Sequence, residues 1–205
     1  MHKSLCICAQ VPSIEVVSRL CLVMHRDETR KTTNTGRLAA RCLLGSEVLV
    51  HGREGEQTTA PWQPPGSSDI MGGLLLFPCE EATVLGPQHL NDGPVRLVVP
   101  DATWRQAGKM TRRIPWMENL PRVTLPAGGA TTTYRLRSEP KEGGLATLEA
   151  IARAFAVLEG AEVAERLYEI FRIMIDRTLY SRGLLSRAQV YGGIPENTQR
   201  HEPRA

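Results

Sequence analysis

The stretch Asp101-Ala102-Thr103-Trp104 brings an acid, a hydroxyl and an indole together. It directly follows the apolar run Val95-Arg96-Leu97-Val98-Val99-Pro100 and directly precedes Arg105-Gln106-Ala107-Gly108-Lys109-Met110. The pattern sets these groups where a buried strand ends and a helix begins. In open α/β sheets that is where ligands bind, in the crevice at the carboxyl ends of the strands. The helix start adds free backbone N–H groups and a positive dipole end. Asp101 reads either as a working carboxylate or as an ordinary helix N-cap. Thr103 reads as a cap partner or a ligand hydroxyl, and Trp104 as a core residue or a stacking platform.

Cations follow the acid at once. Arg105, Lys109, Arg112 and Arg113 fall together, and helical spacing puts the first three on one face. A second group, Arg26, Arg30, Lys31 and Arg37, surrounds the turn Thr33-Asn34-Thr35-Gly36. The net charge is only +3, so the clustering says more than the total. Either group fits a solvated face or a grip on an anionic polymer.

The elements that must position these residues are legible as apolar runs. Arg19 to His25, Glu47 to His51, Gly73 to Phe77, Val95 to Val99 and Arg122 to Leu125 read as strands. Arg37 to Leu44 reads as a short helix capped by Asn34 or Thr35, and Glu80 to Val84 as the start of another. Residues 60–69 are rich in Pro, Gly and Ser and read as a loop. Two amphipathic helices close the chain. Leu145, Leu148, Ile151, Ala152, Phe155 and Leu158 share one face, as do Leu167, Ile170, Phe171, Met174, Ile175 and Leu179. Gly160 separates them, and residues 195–205 read as a frayed polar tail. Strands of continuous apolar character alternating with helices predict a mostly parallel sheet covered on both faces.

The chain has 205 residues and is 41% hydrophobic, which suits a single domain over 1–205. Its five cysteines, with no signal peptide and no apolar stretch of membrane length, predict free thiols in a reducing, cytoplasmic compartment. Cys6-x-Cys8 could be half of a zinc site, but no second pair has ligand spacing, so no metal is expected.

Several blocks, in order, resemble the DTW-domain family, the tRNA-uridine aminocarboxypropyltransferases. They are Cys6-Ile7-Cys8-Ala9, His25-Arg26-Asp27-Glu28, Lys31-Thr32-Thr33-Asn34-Thr35-Gly36-Arg37 and Leu75-Leu76-Phe77-Pro78. Asp101-Ala102-Thr103-Trp104-Arg105-Gln106-Ala107, Tyr134-Arg135-Leu136-Arg137 and Ala146-Thr147-Leu148-Glu149-Ala150 complete the set. The family usually has Gly where Ala102 stands and Ser where Ala146 stands. That Ser would complete a capping box with Glu149. Many members also carry a Cys-x-x-Cys pair ahead of the counterpart of Cys6-x-Cys8, and none precedes Cys6 here.

The resemblance implies a fold similar to the SPOUT methyltransferases, an α/β, mostly parallel sheet flanked by helices with a C-terminal trefoil knot. It implies transfer of the 3-amino-3-carboxypropyl group of S-adenosylmethionine to N3 of a tRNA uridine, with methylthioadenosine as the other product. It makes Asp101 the catalytic residue. It places Leu76, Phe77, Pro78, Pro100, Asp101, Thr103, Trp104, Leu125, Tyr134, Arg135, Thr147 and Glu149 around the donor. Arg135 would pair with the methionine carboxylate, and Glu149 would either bind its ammonium or serve the helix dipole. Arg26, Lys31, Asn34, Arg37, Arg105, Lys109, Arg112, Arg113 and Arg137 would hold RNA. His25 reads as a structural strand end. The rival readings are an S-adenosylmethionine-dependent RNA methyltransferase of SPOUT type and a non-catalytic RNA-binding module.

Overall fold

The apolar runs become the strands of one sheet. The computed structural model describes residues 3–52, 73–128, 144–195 and 198. Its strands are β1 (Arg19–His25), β2 (Glu47–His51), β3 (Gly73–Leu76), β4 (Thr83–Val84), β5 (Arg96–Asp101) and β6 (Arg122–Thr124). The helices are α1 (Thr35–Cys42), α2 (Trp104–Arg113), α3 (Pro115–Glu118), α4 (Thr147–Leu158) and α5 (Ala161–Ser181). Every strand pair is parallel, in the order β2-β1-β5-β3-β6-β4. The chain leaving β1 returns beside it as β2, whereas the chain leaving β3 returns on the other side as β4. β5 fills the gap between β1 and β3, so its carboxyl end lies at a topological switch point.

Strand alternation divides the core into two. Leu20, Leu22, Met24, Leu74, Leu76, Leu97 and Val99 face a layer built from α1, α4 and α5, with Phe155 and Phe171 fully buried in it. Cys21, Val23, Leu75 and Val98 face the opposite side and pack on Met110, Ile114 and Met117 of α2 and α3. Burial on both faces is why these strands read as unbroken apolar runs. Cys21 and Cys42 lie in this interior, and burial pushes each thiol up to about 12.

The ends of the elements follow local chemistry. The Asn34 side chain accepts from the Arg37 N–H at 2.7 Å, so α1 starts two residues earlier than the predicted Arg37. Gly160, at φ 104°, separates α4 from α5. Residues 80–84 do not begin a helix. A turn closed by the Ala82 N–H on the Cys79 carbonyl leads into β4, whose β-branched Thr83 and Val84 pair with β6. The predicted loop at 60–69, the 129–143 stretch and most of the tail at 195–205 lie outside the described residues. No helix among the described residues is long and apolar enough to cross a membrane.

α4 begins with half a cap. The Glu149 carboxylate accepts from the Ala146 N–H at 2.9 Å, but Ala146 offers no side-chain oxygen in return. Ala146→Ser is expected to stabilise the protein by about 1 kcal/mol, or roughly 2–4 °C in Tm for a chain of this size. Thermal melts of the two proteins check this, and an unchanged or lower Tm contradicts it.

Candidate active site

Asp101 is the last residue of β5 and is 3% exposed. It shares the parity of Leu97 and Val99, so its side chain points to the α1 and α4 side of the sheet. There, Asn34 Nδ2 donates to Oδ2 at 2.7 Å and Thr147 Oγ1 donates to Oδ1 at 2.6 Å. Asn34 is the N-cap of α1 and Thr147 the first residue of α4, so each helix begins by holding the same carboxylate. Asp101 is therefore not the N-cap of α2, one of its two sequence readings. Thr103 takes that place in a reciprocal capping box with Gln106, whose backbone N–H donates to the Thr103 hydroxyl.

The fit around the carboxylate is close. A Cβ added to Gly36 would stand 2.9 Å from Asp101 Cγ and about as near to both oxygens. Nothing larger than glycine fits the second position of α1 while Asp101 stays where it is. Ala102, where the family usually has glycine, needs no such freedom, because no non-glycine residue described has positive φ.

Asp101 opens into a cavity of about 500 Å³ across the carboxyl edge of the sheet. Its polar lining includes Glu28, Lys31, Thr33, Asn34, Thr35 and Thr147. Its apolar and aromatic lining includes Leu76, Phe77, Pro78, Pro100, Trp104 and Leu125. The Phe77 and Trp104 rings lie 6.2 Å apart at 53°, and Trp104 is 42% exposed. The N-termini of α1, α2 and α4 all reach this space, so three positive dipole ends converge on it.

Burial raises the Asp101 carboxyl above its ordinary value. The hydrogen bonds from Thr147 and Asn34 and the Lys31 charge pull the other way, while the Glu28 charge adds to the rise.

The structure sorts the sequence-predicted residues. Leu76, Phe77, Pro78, Pro100, Asp101, Thr103, Trp104, Leu125 and Thr147 all line the cavity. Glu149 does not. It is 2% exposed and its carboxylate caps α4 through the Ala146 N–H, so the start of that helix claims it. Tyr134, Arg135 and Arg137 lie outside the described residues. Lys31 and Asn34, assigned by sequence to RNA, stand on the cavity wall. Arg37 turns inward, its guanidinium donating to the Thr29 carbonyl at 3.0 Å. Arg26, Arg105, Lys109, Arg112 and Arg113 are exposed. His25 ends β1 and its ring accepts from the Asp27 N–H at 3.2 Å, a structural role as expected. Sequence reasoning gave no role to Glu28 and saw only a turn in Gly36; both signals lie in long-range packing.

The model of the DTW domain matches residues 1–179. The chain belongs to the DTW domain family. This DTW domain is 29% identical over 151 residues to tRNA-uridine aminocarboxypropyltransferase 2 of Drosophila melanogaster, covering 72% of this chain and 59% of that protein. It is also 26% identical over 206 residues to tRNA-uridine aminocarboxypropyltransferase A of Arabidopsis thaliana, covering 84% and 76%. It spans little more than half the length of the animal relatives it matches. Its fold resembles the SAM-dependent rRNA:acp-transferase Tsr3 from Vulcanisaeta distributa, with a TM-score of 0.50 at 15% identity over 82% of this chain and 80% of that one. The expected parallel α/β architecture, a sheet flanked by helices, is thus present.

The raised Asp101 value sets a sign for stability against pH. The folded protein holds this proton at pH values where the unfolded chain, near 3.8, has released it. This contribution to stability is therefore present at low pH and lost as pH rises through the folded value. Relative to Asp101→Asn, which does not titrate there, the wild type should lose stability as pH rises from the ordinary carboxyl value, 3.8, through the raised folded one. Urea denaturation of both proteins across that range checks it, and parallel curves contradict it.

Proposed function

We propose that this DTW domain transfers the 3-amino-3-carboxypropyl group of S-adenosylmethionine to N3 of a uridine in tRNA, releasing methylthioadenosine. The observation that carries this reading is the buried Asp101 carboxylate, fixed by two helix N-termini inside a cavity of about 500 Å³. That size suits a small ligand, since such sites span roughly 300–1,000 Å³. The names of the relatives give the reaction its class.

The residues present fit the donor. Leu76, Phe77, Pro78 and Leu125 offer an apolar wall for the adenosine, and Thr33 and Thr35 offer hydroxyls nearby. The donor supplies a carbon made electrophilic by its sulfonium. The N3–carbon bond forms as the carbon–sulfur bond breaks, and its electron pair stays on sulfur in methylthioadenosine. Uridine N3 carries a proton at neutral pH and is a poor nucleophile until it is removed. Asp101 is placed to take or orient that proton: each oxygen accepts one hydrogen bond and has a lone pair to spare. A raised carboxyl value moves it toward the pH at which a base is most useful. Trp104, at the rim and half-exposed, is placed to stack on a base.

The RNA surface in this reading is α2. Arg105, Lys109, Arg112 and Arg113 are all exposed on a helix whose first turn enters the cavity. Arg37 is occupied internally, which leaves Arg26 and Arg30 as the outward cations of the second cluster. The five cysteines are free thiols, in keeping with a reducing, cytoplasmic setting.

Asp101→Asn is expected to lower transfer by ~10²–10⁴. Product mass in the same assay separates aminocarboxypropyl transfer from methylation. Wild-type turnover in the variant removes Asp101 from the mechanism, and a methylated product overturns the reaction class.

The Lys109→Ala, Arg112→Ala double variant is expected to weaken tRNA binding and flatten its salt dependence, by roughly 0.7–0.9 in log–log slope per lost phosphate contact. Binding isotherms over a salt series check it. An unchanged slope with unchanged affinity assigns the tRNA to another surface.

A further inference from the structure

Glu28 and Lys31 stand on the cavity wall beside Asp101. They belong to the turn Arg26–Arg30 and its C-cap, which leaves the carboxyl end of β1. The turn closes without their side chains: the His25 ring takes the Asp27 N–H, and the Lys31 backbone N–H bonds the Glu28 carbonyl. Yet Glu28 is 4% exposed. A buried carboxylate is costly unless it is paired. Its partners are the Lys31 ammonium on Oε1 and, at a long 3.5 Å, Asn34 Nδ2 on Oε2. The same Asn34 amide group holds Asp101, so the two carboxylates lie on either side of one donor.

Among the described residues of the wall, Glu28, Lys31 and Asp101 are the charged ones. Two carboxylates and one ammonium leave a net negative charge. The ligand that complements this set carries an ammonium and a carboxylate close together, plus one further positive charge. An α-amino acid bearing a sulfonium has that pattern. Lys31 keeps 35% of its side chain exposed, so its ammonium can serve Glu28 and a ligand oxygen together. Glu149, the sequence candidate for the ammonium, is occupied by the start of α4.

We propose that Glu28 and Lys31 form the seat for the amino-acid end of the donor, Glu28 accepting from its α-ammonium and Lys31 donating to its α-carboxylate. This rests on the donor-pocket reading of the site.

The test is calorimetric binding, without RNA, of S-adenosylmethionine, decarboxylated S-adenosylmethionine and 5′-methylthioadenosine. The proteins are the wild type, Glu28→Gln and Lys31→Ala, each with a thermal melt. Glu28→Gln is near-isosteric and keeps an oxygen for Asn34. Lys31→Ala removes a partly exposed side chain and supplies a second, independent variant. The wild type should prefer S-adenosylmethionine over its decarboxylated analogue. Lys31→Ala should weaken S-adenosylmethionine about tenfold or more and erase that preference, as expected for a lost charge-assisted hydrogen bond. Glu28→Gln should weaken both amine-bearing ligands. Neither variant should change methylthioadenosine affinity, because that ligand has no tail. An equal loss for all three ligands makes the pair merely structural and overturns the proposal. Undiminished S-adenosylmethionine binding in both variants overturns it too, while wild-type methylthioadenosine binding keeps the donor pocket intact. A wild type that binds none of the three overturns the pocket and the seat together.

Discussion

A carboxylate buried at the end of a central strand must be met by donors, and in this DTW domain that requirement organises the site. The donors come from Asn34 and Thr147, 67 and 46 residues away along the chain. Each sits at the start of a helix, so holding Asp101 also fixes where α1 and α4 begin relative to β5. Gly36 lets α1 approach until its backbone touches the carboxyl group. The hydrogen bonds do not fully offset burial, since the carboxyl still titrates above its ordinary range. Burial of Asp101 thus works against stability once the carboxyl is ionised.

The sheet turns this local constraint into a pocket of mixed lining. Alternation along β5 sends Asp101 toward α1 and α4, while Ala102 and the start of α2 lie against Phe77 on the other face. Residues of both faces therefore meet at a single strand end. The N-terminus of α2 serves the cavity while its later turns carry exposed cations outward. One helix thus reaches both the cavity and the outer surface.

Much of the scaffold was legible in the residues. β1 and β2 have the bounds that their apolar runs predict, and α4 and α5 follow their helical stripes. The misreading of residues 80–84 has a physical cause. Two acids and an alanine favour a helix start locally, but pairing of Thr83 and Val84 with β6 supplies backbone bonds that local propensity does not see. Asn34 was read as a cap beside an RNA surface. It is that cap, and its remaining amide group bonds inward because Asp101 lies there.

By itself the sequence determined the parallel α/β class, the family and the place of Asp101 at a strand end. All three rest on local patterns: apolar runs, helical periodicity and contiguous motifs. Only the tertiary structure decided that Thr103 and not Asp101 caps α2, that Glu149 caps α4 and does not line the cavity, and that Glu28 and Lys31 do. Those assignments depend on which donors and acceptors meet across β1, β5, α1 and α4. Residues far apart in the chain come within hydrogen-bond reach only once the sheet order is set, and no spacing along the sequence encodes that distance.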